Sequence, residues 1–240
     1  IAQLREANPD VLLVSTGNLA SSSPEGDYIK AAKAIGMPAL LYVLSWDHLE
    51  TKVSIQVTPD LLLVWNGAQA EEAEKYHRIP RSMIRIVGST FFDQWFDAHA
   101  PTPREEFCAR YGLDPKKPIL TYISSAGTYG DEIEYLKKVY KAVGGLDIQL
   151  VVRPYPSEKR RGVHKRRNAF YKSAESSRVT FIPRKGSRPS SEEAAQLFYD
   201  TIYHSFAYLG ICSSGMIDSM LIGRPGITLL DDYYNSIQSY

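Results

Sequence analysis

Short, continuously apolar runs recur along the chain, separated by longer stretches with helical apolar spacing. The first half carries VLLVS (11–15), ALLYVL (39–44), LLLVW (61–65) and IRIVGS (84–89). The second carries PILTYIS (118–124), DIQLVVR (147–153), VTFI (179–182), AYLGIC (207–212) and GITLL (226–230). Strands that alternate with helices predict βαβ units and parallel sheets, an α/β fold. Because the runs are continuous rather than alternating, strands covered on both faces are expected. Between the halves lies AHAPTPREEF, rich in proline and polar residues. It reads as a linker followed by a short helix to about Tyr111. The expected organisation is a first βα domain over 1–95, a linker over 96–115 and a second βα domain over 116–240. No fixed-period repeat or low-complexity tract interrupts it.

Composition narrows the classes of partner. With 240 residues, 44% of them hydrophobic, the chain can bury one large core or two smaller ones. A formal net charge of +1 gives no global attraction to nucleic acid or to a membrane, so such a role needs a local patch. Cys108 and Cys212 lack CxxC spacing, which argues against a disulfide framework or a structural zinc site and makes a reducing, cytoplasmic compartment the default. No apolar run reaches the roughly 18 residues of a membrane span. The start at Ile1 and the closing DDYYNSIQSY read as the ends of a piece of a longer chain.

In parallel sheets chemistry collects at the carboxyl ends of the strands, where helix N-termini aim their N–H groups at anions. After AYLGIC, the residues Ser213, Ser214 and Gly215 open a helix, and they suit either a diphosphate seat or a plain N-cap. Asp218, one turn further on, either complements the helix dipole or grips a ribose hydroxyl. After PILTYIS, the loop SSAGTYGDEIEYL offers Ser124, Ser125, Gly127 and Thr128, small residues and hydroxyls ahead of another helix. After DIQLVV comes Arg153, whose guanidinium fork suits a phosphate, then Tyr155 between Pro154 and Pro156. A basic run over 159–167 follows, suited to a solvated face, an acidic acceptor or a membrane surface. It has little aromatic interleaving, and nucleic acid is not expected as a partner. In the first half, LSWDHLETK places Asp47 and His48 after a strand. Either is a candidate base, and Asp47 is equally a helix cap. Trp46 suits stacking on a sugar ring or packing. Thr16, Gly17 and Asn18 make another small-residue loop. His77, His99 and His204 read as surface or helix residues, and no metal-ligand spacing occurs.

These segments carry a resemblance. LGICSSGMIDSMLIGRPGITLLDDYYNSIQ looks like the donor-nucleotide segment of GT-B glycosyltransferases, with its strand, serine turn, acidic helix and Gly-Arg-Pro return. VVRPYP resembles the His-Pro loop of bacterial capsule and teichoic-acid transferases, with Tyr155 standing where His is usual. PDLLLVWNGAQAEEAEKYHRIPRSMIRIVGSTFFD is similar to the end of a GT-B N-terminal domain.

The resemblance implies two Rossmann-like domains with parallel sheets facing across a cleft. It implies an enzyme that transfers a sugar or glycerophosphate from a UDP, CDP or CMP type donor to a glycan or lipid-linked acceptor, without a separate cofactor, in cell-envelope polysaccharide synthesis. It also implies location in the cytoplasm, with residues 159–167 as a candidate peripheral contact at the inner membrane face. Under it, Ser213, Ser214, Gly215, Ser125 and Gly127 hold donor phosphates, Arg153 helps neutralise them and Asp218 takes the ribose. A UDP-sugar 2-epimerase of the same architecture and a non-catalytic nucleotide- or sugar-binding module are the alternatives.

Overall fold

A computed structural model describes residues 1–16, 24–96, 100–125, 132–155, 179–183, 191–211 and 213–230. The chain folds as two compact units, Ile1–Asp93 and Gln94–Tyr240.

The first unit holds β1 (Leu12–Ser15), β2 (Ala39–Tyr42), β3 (Leu61–Val64) and β4 (Ile84–Ile86), with helices α1 (Ala2–Ala7), α2 (Glu25–Ala34) and α3 (Gly67–His77). The strands pair in the order β1-β2-β3-β4, all parallel. Ala39, Leu41, Leu62, Val64 and Ile84 point to one face and pack with Ile29 and Ala32 of α2 and Ala70 and Ala73 of α3. The opposite face differs from the expectation of two covered faces. Leu13 is 61% exposed, and its register neighbours Leu40 and Leu61 are only half-buried. The reason is that α2 and α3 both pack on the other side, so continuous leucine runs here fill one core only.

The second unit holds β5 (Ile119–Ile123), β6 (Gln149–Arg153), β7 (Val179–Phe181), β8 (Ala207–Gly210) and β9 (Gly226–Thr228). Its helices are α4 (Arg104–Tyr111), α5 (Ile133–Val143), α6 (Glu192–Tyr203) and α7 (Ser214–Leu221). The parallel order is β7-β6-β5-β8-β9. Every residue of β5, β6 and β8 is buried. Within the 96–115 stretch α4 ends at Tyr111, on Gly112 in the left-handed region (φ 68°). Its Phe107 and Cys108 are buried against Ile119, Val151 and Ile182.

The Gly-Arg-Pro return is a helix stop. Gly223, at φ 83°, donates its N–H to the Met220 carbonyl, and the Arg224 N–H reaches the Ser219 carbonyl. This is the paired closure that satisfies the last carbonyls of a helix before proline ends it. No helix among the described residues is long and apolar enough to cross a membrane.

Candidate functional site

In the second sheet β5 comes first in sequence but lies at the centre, with β6 on one side and β8 on the other. The connections therefore leave in opposite directions from β5 and β8, and such a reversal opens a crevice outside the carboxyl ends of those two strands. The serine loops flank it. Ser124 and Ser125 follow β5, and Ser213, Ser214 and Gly215 follow β8.

The β8 turn divides its labour. Ser213 is the N-cap of α7, its Oγ accepting the Gly215 N–H at 3.2 Å and its carbonyl the Met216 N–H at 2.9 Å. Ser214 opens the helix with an exposed side chain. The capping role thus belongs to Ser213, while Ser214 keeps a hydroxyl at the positive helix end. Glycine is needed at both ends of the turn: a Cβ on Gly210 in β8 would sit 2.9 Å from the Ile123 carbonyl oxygen, and one on Gly215 in α7 would sit 3.1 Å from Ile123 Cγ2. The second close approach seats α7 against the end of β5.

The β5 loop is anchored by a residue absent from the sequence expectations. Glu132 is buried, and its Oε1 accepts the Ser125 N–H at 2.7 Å and the Tyr122 hydroxyl at 2.9 Å. The acid just before the amphipathic pattern IEYLKKVY was the available signal. Gly127 and Thr128 lie outside the described residues, as do Gly17, Asn18, His99, Cys212 and the basic run 159–167.

Arg153 and Asp218 turn inward. Arg153 is 4% exposed and its guanidinium carbon lies 4.5 Å over the Phe198 ring. Asp218 is 5% exposed, and its Oδ1 accepts the Trp95 indole N–H at 2.6 Å. Trp95 stacks on Phe198 at 5.3 Å, so four side chains far apart in sequence form one buried cluster. Burial pushes the Asp218 carboxyl up to about 6 against the opposing pull of Trp95 and Arg153. Burial likewise brings Arg153 down to about 10, with Asp218 pulling the other way. Tyr155 is half-buried just past the end of β6.

The first unit assembles a separate polar group at its own strand ends. Thr16, buried after β1, places Oγ1 2.6 Å from His48 Nδ1 and accepts the Leu44 N–H at 2.9 Å. His48 Nε2 has no hydrogen-bond partner among the described residues. Burial lowers the His48 pKa, partly countered by Asp47, so the ring is neutral near pH 7. Asp47 is 7% exposed, accepts the Ser45 hydroxyl at 2.8 Å and pairs with Lys52. Its side chain makes no cap bond to the π-helical turn His48–Lys52.

Gln69, in the first turn of α3, donates Nε2 to the Ser45 and Trp46 carbonyls and fixes the loop between them. Trp46 is half-buried there. His77 belongs to α3 and its ring bonds the Leu49 carbonyl and the Ile55 N–H. His204 caps α6 and is buried, with Nε2 donating to the Thr102 carbonyl at 2.8 Å. Among the described residues no group of three or more His, Cys, Asp or Glu is arranged to hold a metal ion.

No family model matches the chain, and no curated protein does. Solved structures do. The Staphylococcus aureus MnaA–UDP co-structure superposes with TM-score 0.64 at 13% identity, over 95% of this chain and 59% of that one. The Methanocaldococcus jannaschii UDP-GlcNAc 2-epimerase in complex with UDP-GlcNAc and UDP gives 0.64 at 13%, over 95% and 62%. A Rickettsia africae glycosyltransferase gives 0.62 at 13%, over 95% and 59%. The chain thus has a GT-B-type α/β fold, and it spans less than two thirds of the length of these structures.

Proposed function

We propose that the chain belongs to an enzyme acting on a nucleotide-activated sugar, and that its second unit grips the nucleotide diphosphate. The observation that carries this reading is the reversal between β5 and β8, flanked on both sides by serine loops and by the N-terminus of α7. Ser214 and Gly215, with Ser125 and Gly127, hold the phosphates, and Ser213 fixes the helix end that presents them. Arg153, charged and held by Phe198 and Asp218 behind the strand ends, adds positive potential, and Tyr155 offers a hydroxyl.

The reaction proposed is transfer of a sugar or glycerophosphate from a UDP, CDP or CMP type donor to a glycan or lipid-linked acceptor, with residues 159–167 contacting the acceptor's membrane. The catalytic base comes from the Asp47 and His48 pair. His48 is the better candidate: its ring is neutral, Thr16 orients it through Nδ1, and Nε2 remains for the acceptor hydroxyl. Asp47, held by Lys52 and Ser45, positions the turn.

The second reading is a sugar 2-epimerase, favoured by the UDP-GlcNAc 2-epimerase among the similar structures. Thermal-shift titration with UDP, CDP, CMP, GDP and ADP tests the shared step. A ligand at one hundred times its Kd stabilises by about 2.7 kcal/mol. One pyrimidine nucleotide should raise the Tm, and Ser214→Ala should abolish the rise; no response to any nucleotide sinks the proposal. Isomerisation of UDP-GlcNAc without acceptor would favour the epimerase over the transferase.

A further inference from the structure

The second unit has a cavity at the end of its sheet opposite the serine turns. Pro118 leads into β5, Phe206 precedes β8 and Arg224 precedes β9, and all three line a space of about 510 Å3 together with Arg104, Tyr203 and His204. That volume lies within the range of small-molecule sites. The walls are largely apolar, and Phe206 is 48% exposed.

The charges around the cavity are unequal. Arg104 is committed to the fold: its Nε, Nη1 and Nη2 donate to the carbonyls of Pro115, His204 and Lys117 at 2.7–2.8 Å. One of these bonds covers a carbonyl at the C-terminal end of α6, whose negative pole would otherwise repel an anion. His204 spends Nε2 on Thr102, and burial keeps its ring uncharged at neutral pH. Asp200, in the last turn of α6, is closed off by the Thr102 N–H and hydroxyl at 2.9 and 2.7 Å. No carboxylate lines the cavity among the described residues.

Arg224 is different. Its guanidinium carbon lies 5.0 Å over the Tyr203 ring, and its Nε is buried without a hydrogen-bond partner among the described residues. A buried donor in this condition calls for an explanation, a water, an ion or a bound group among them.

We propose that this cavity is a second ligand site, distinct from the nucleotide crevice, which takes a small oxyanion carried on an apolar body. The Arg224 fork receives the oxyanion head, and Tyr203, Phe206 and Pro118 receive the apolar body. A carboxylate and a phosphate share the head-group chemistry, since each can meet a guanidinium edge with two oxygens.

Fluorine NMR of 4-fluorobenzoate with the 240-residue protein tests it, with 4-fluorobenzyl alcohol as the uncharged control and phenyl phosphate as a competitor. Saturable millimolar binding of the benzoate but not the alcohol is expected, weakened about tenfold in Arg224→Gln. Phe206→Ala should weaken it as well, and Ser214→Ala at the far end should leave it unchanged. Stronger displacement by phenyl phosphate than by unlabelled benzoate assigns a phosphate head, and the reverse assigns a carboxylate. Equal binding of the alcohol, equal binding by a folded Arg224→Gln, or no saturable binding at all overturns the proposal.

Discussion

The two parallel sheets of this chain begin from similar sequence and end in different architecture. The first winds in one direction, β1 to β4, and its helices cover a single face. The second winds both ways from its central strand and is buried throughout β5, β6 and β8. Among the described strands the second sheet reverses its order where the first does not, and its two serine loops follow the adjacent strands β5 and β8. An apolar run therefore reports a strand but not how much of it is covered, as exposed Leu13 and Ile227 show, while the order of connection decides whether its end becomes a crevice.

The sharpest way to break this contrast is to open the second unit. Asp218→Ala removes the acceptor of the buried Trp95 indole N–H and should cost about 1–3 kcal/mol by urea denaturation at pH 7. If the variant is as stable as the parent, the cluster of Trp95, Phe198, Arg153 and Asp218 does not hold the unit. The pH dependence has a definite sign. Asp218, raised to about 6, binds its proton more tightly folded than unfolded, so its contribution to stability is full at low pH and is lost as pH rises through about 6.

A paired truncation examines the first unit. Leu41→Ala, in the covered face, should cost about 2–5 kcal/mol. Leu13→Ala, on the open face, should cost well under about 1 kcal/mol because little apolar area is removed from contact. Comparable losses would mean that the open face is covered in solution.

Smaller effects separate capping from binding. Ser213→Ala should lower stability by about 1 kcal/mol through the lost cap, whereas Ser214→Ala should leave stability unchanged and remove the nucleotide response. Equal behaviour of the two serines would return the whole turn to a capping role.

The smallest effect concerns His48. Its folded pKa lies below the ordinary 6.5, so the stability of the neutral ring is present above that value and fades as pH falls through the folded pKa. Melting temperatures of the parent and His48→Gln, compared over pH 5–8, should diverge at the acid end. Parallel curves would mean that the ring is not desolvated.

The strands were legible because their apolar runs are dense and bounded by turns, and the Ser213–Gly215 turn because serine ahead of a helix has a local meaning. The open face of β1–β3 was not, since the same leucines describe a strand covered once or twice. Trp95 meets Asp218 across 123 positions, a separation that no local pattern encodes. The sequence offered Arg153 as a phosphate partner and Asp218 as either a dipole complement or a ribose contact, and the fold buries both side chains.

The Glu132 bond to the Ser125 N–H also bears on how such a chain could diversify. It ties the carboxyl end of β5 to the residue that opens α5 through one buried carboxylate, so strand end and helix start hold their places together. Side chains presented nearby can be exchanged one by one against that fixed support, which lets selection retune recognition without refolding the domain beneath it.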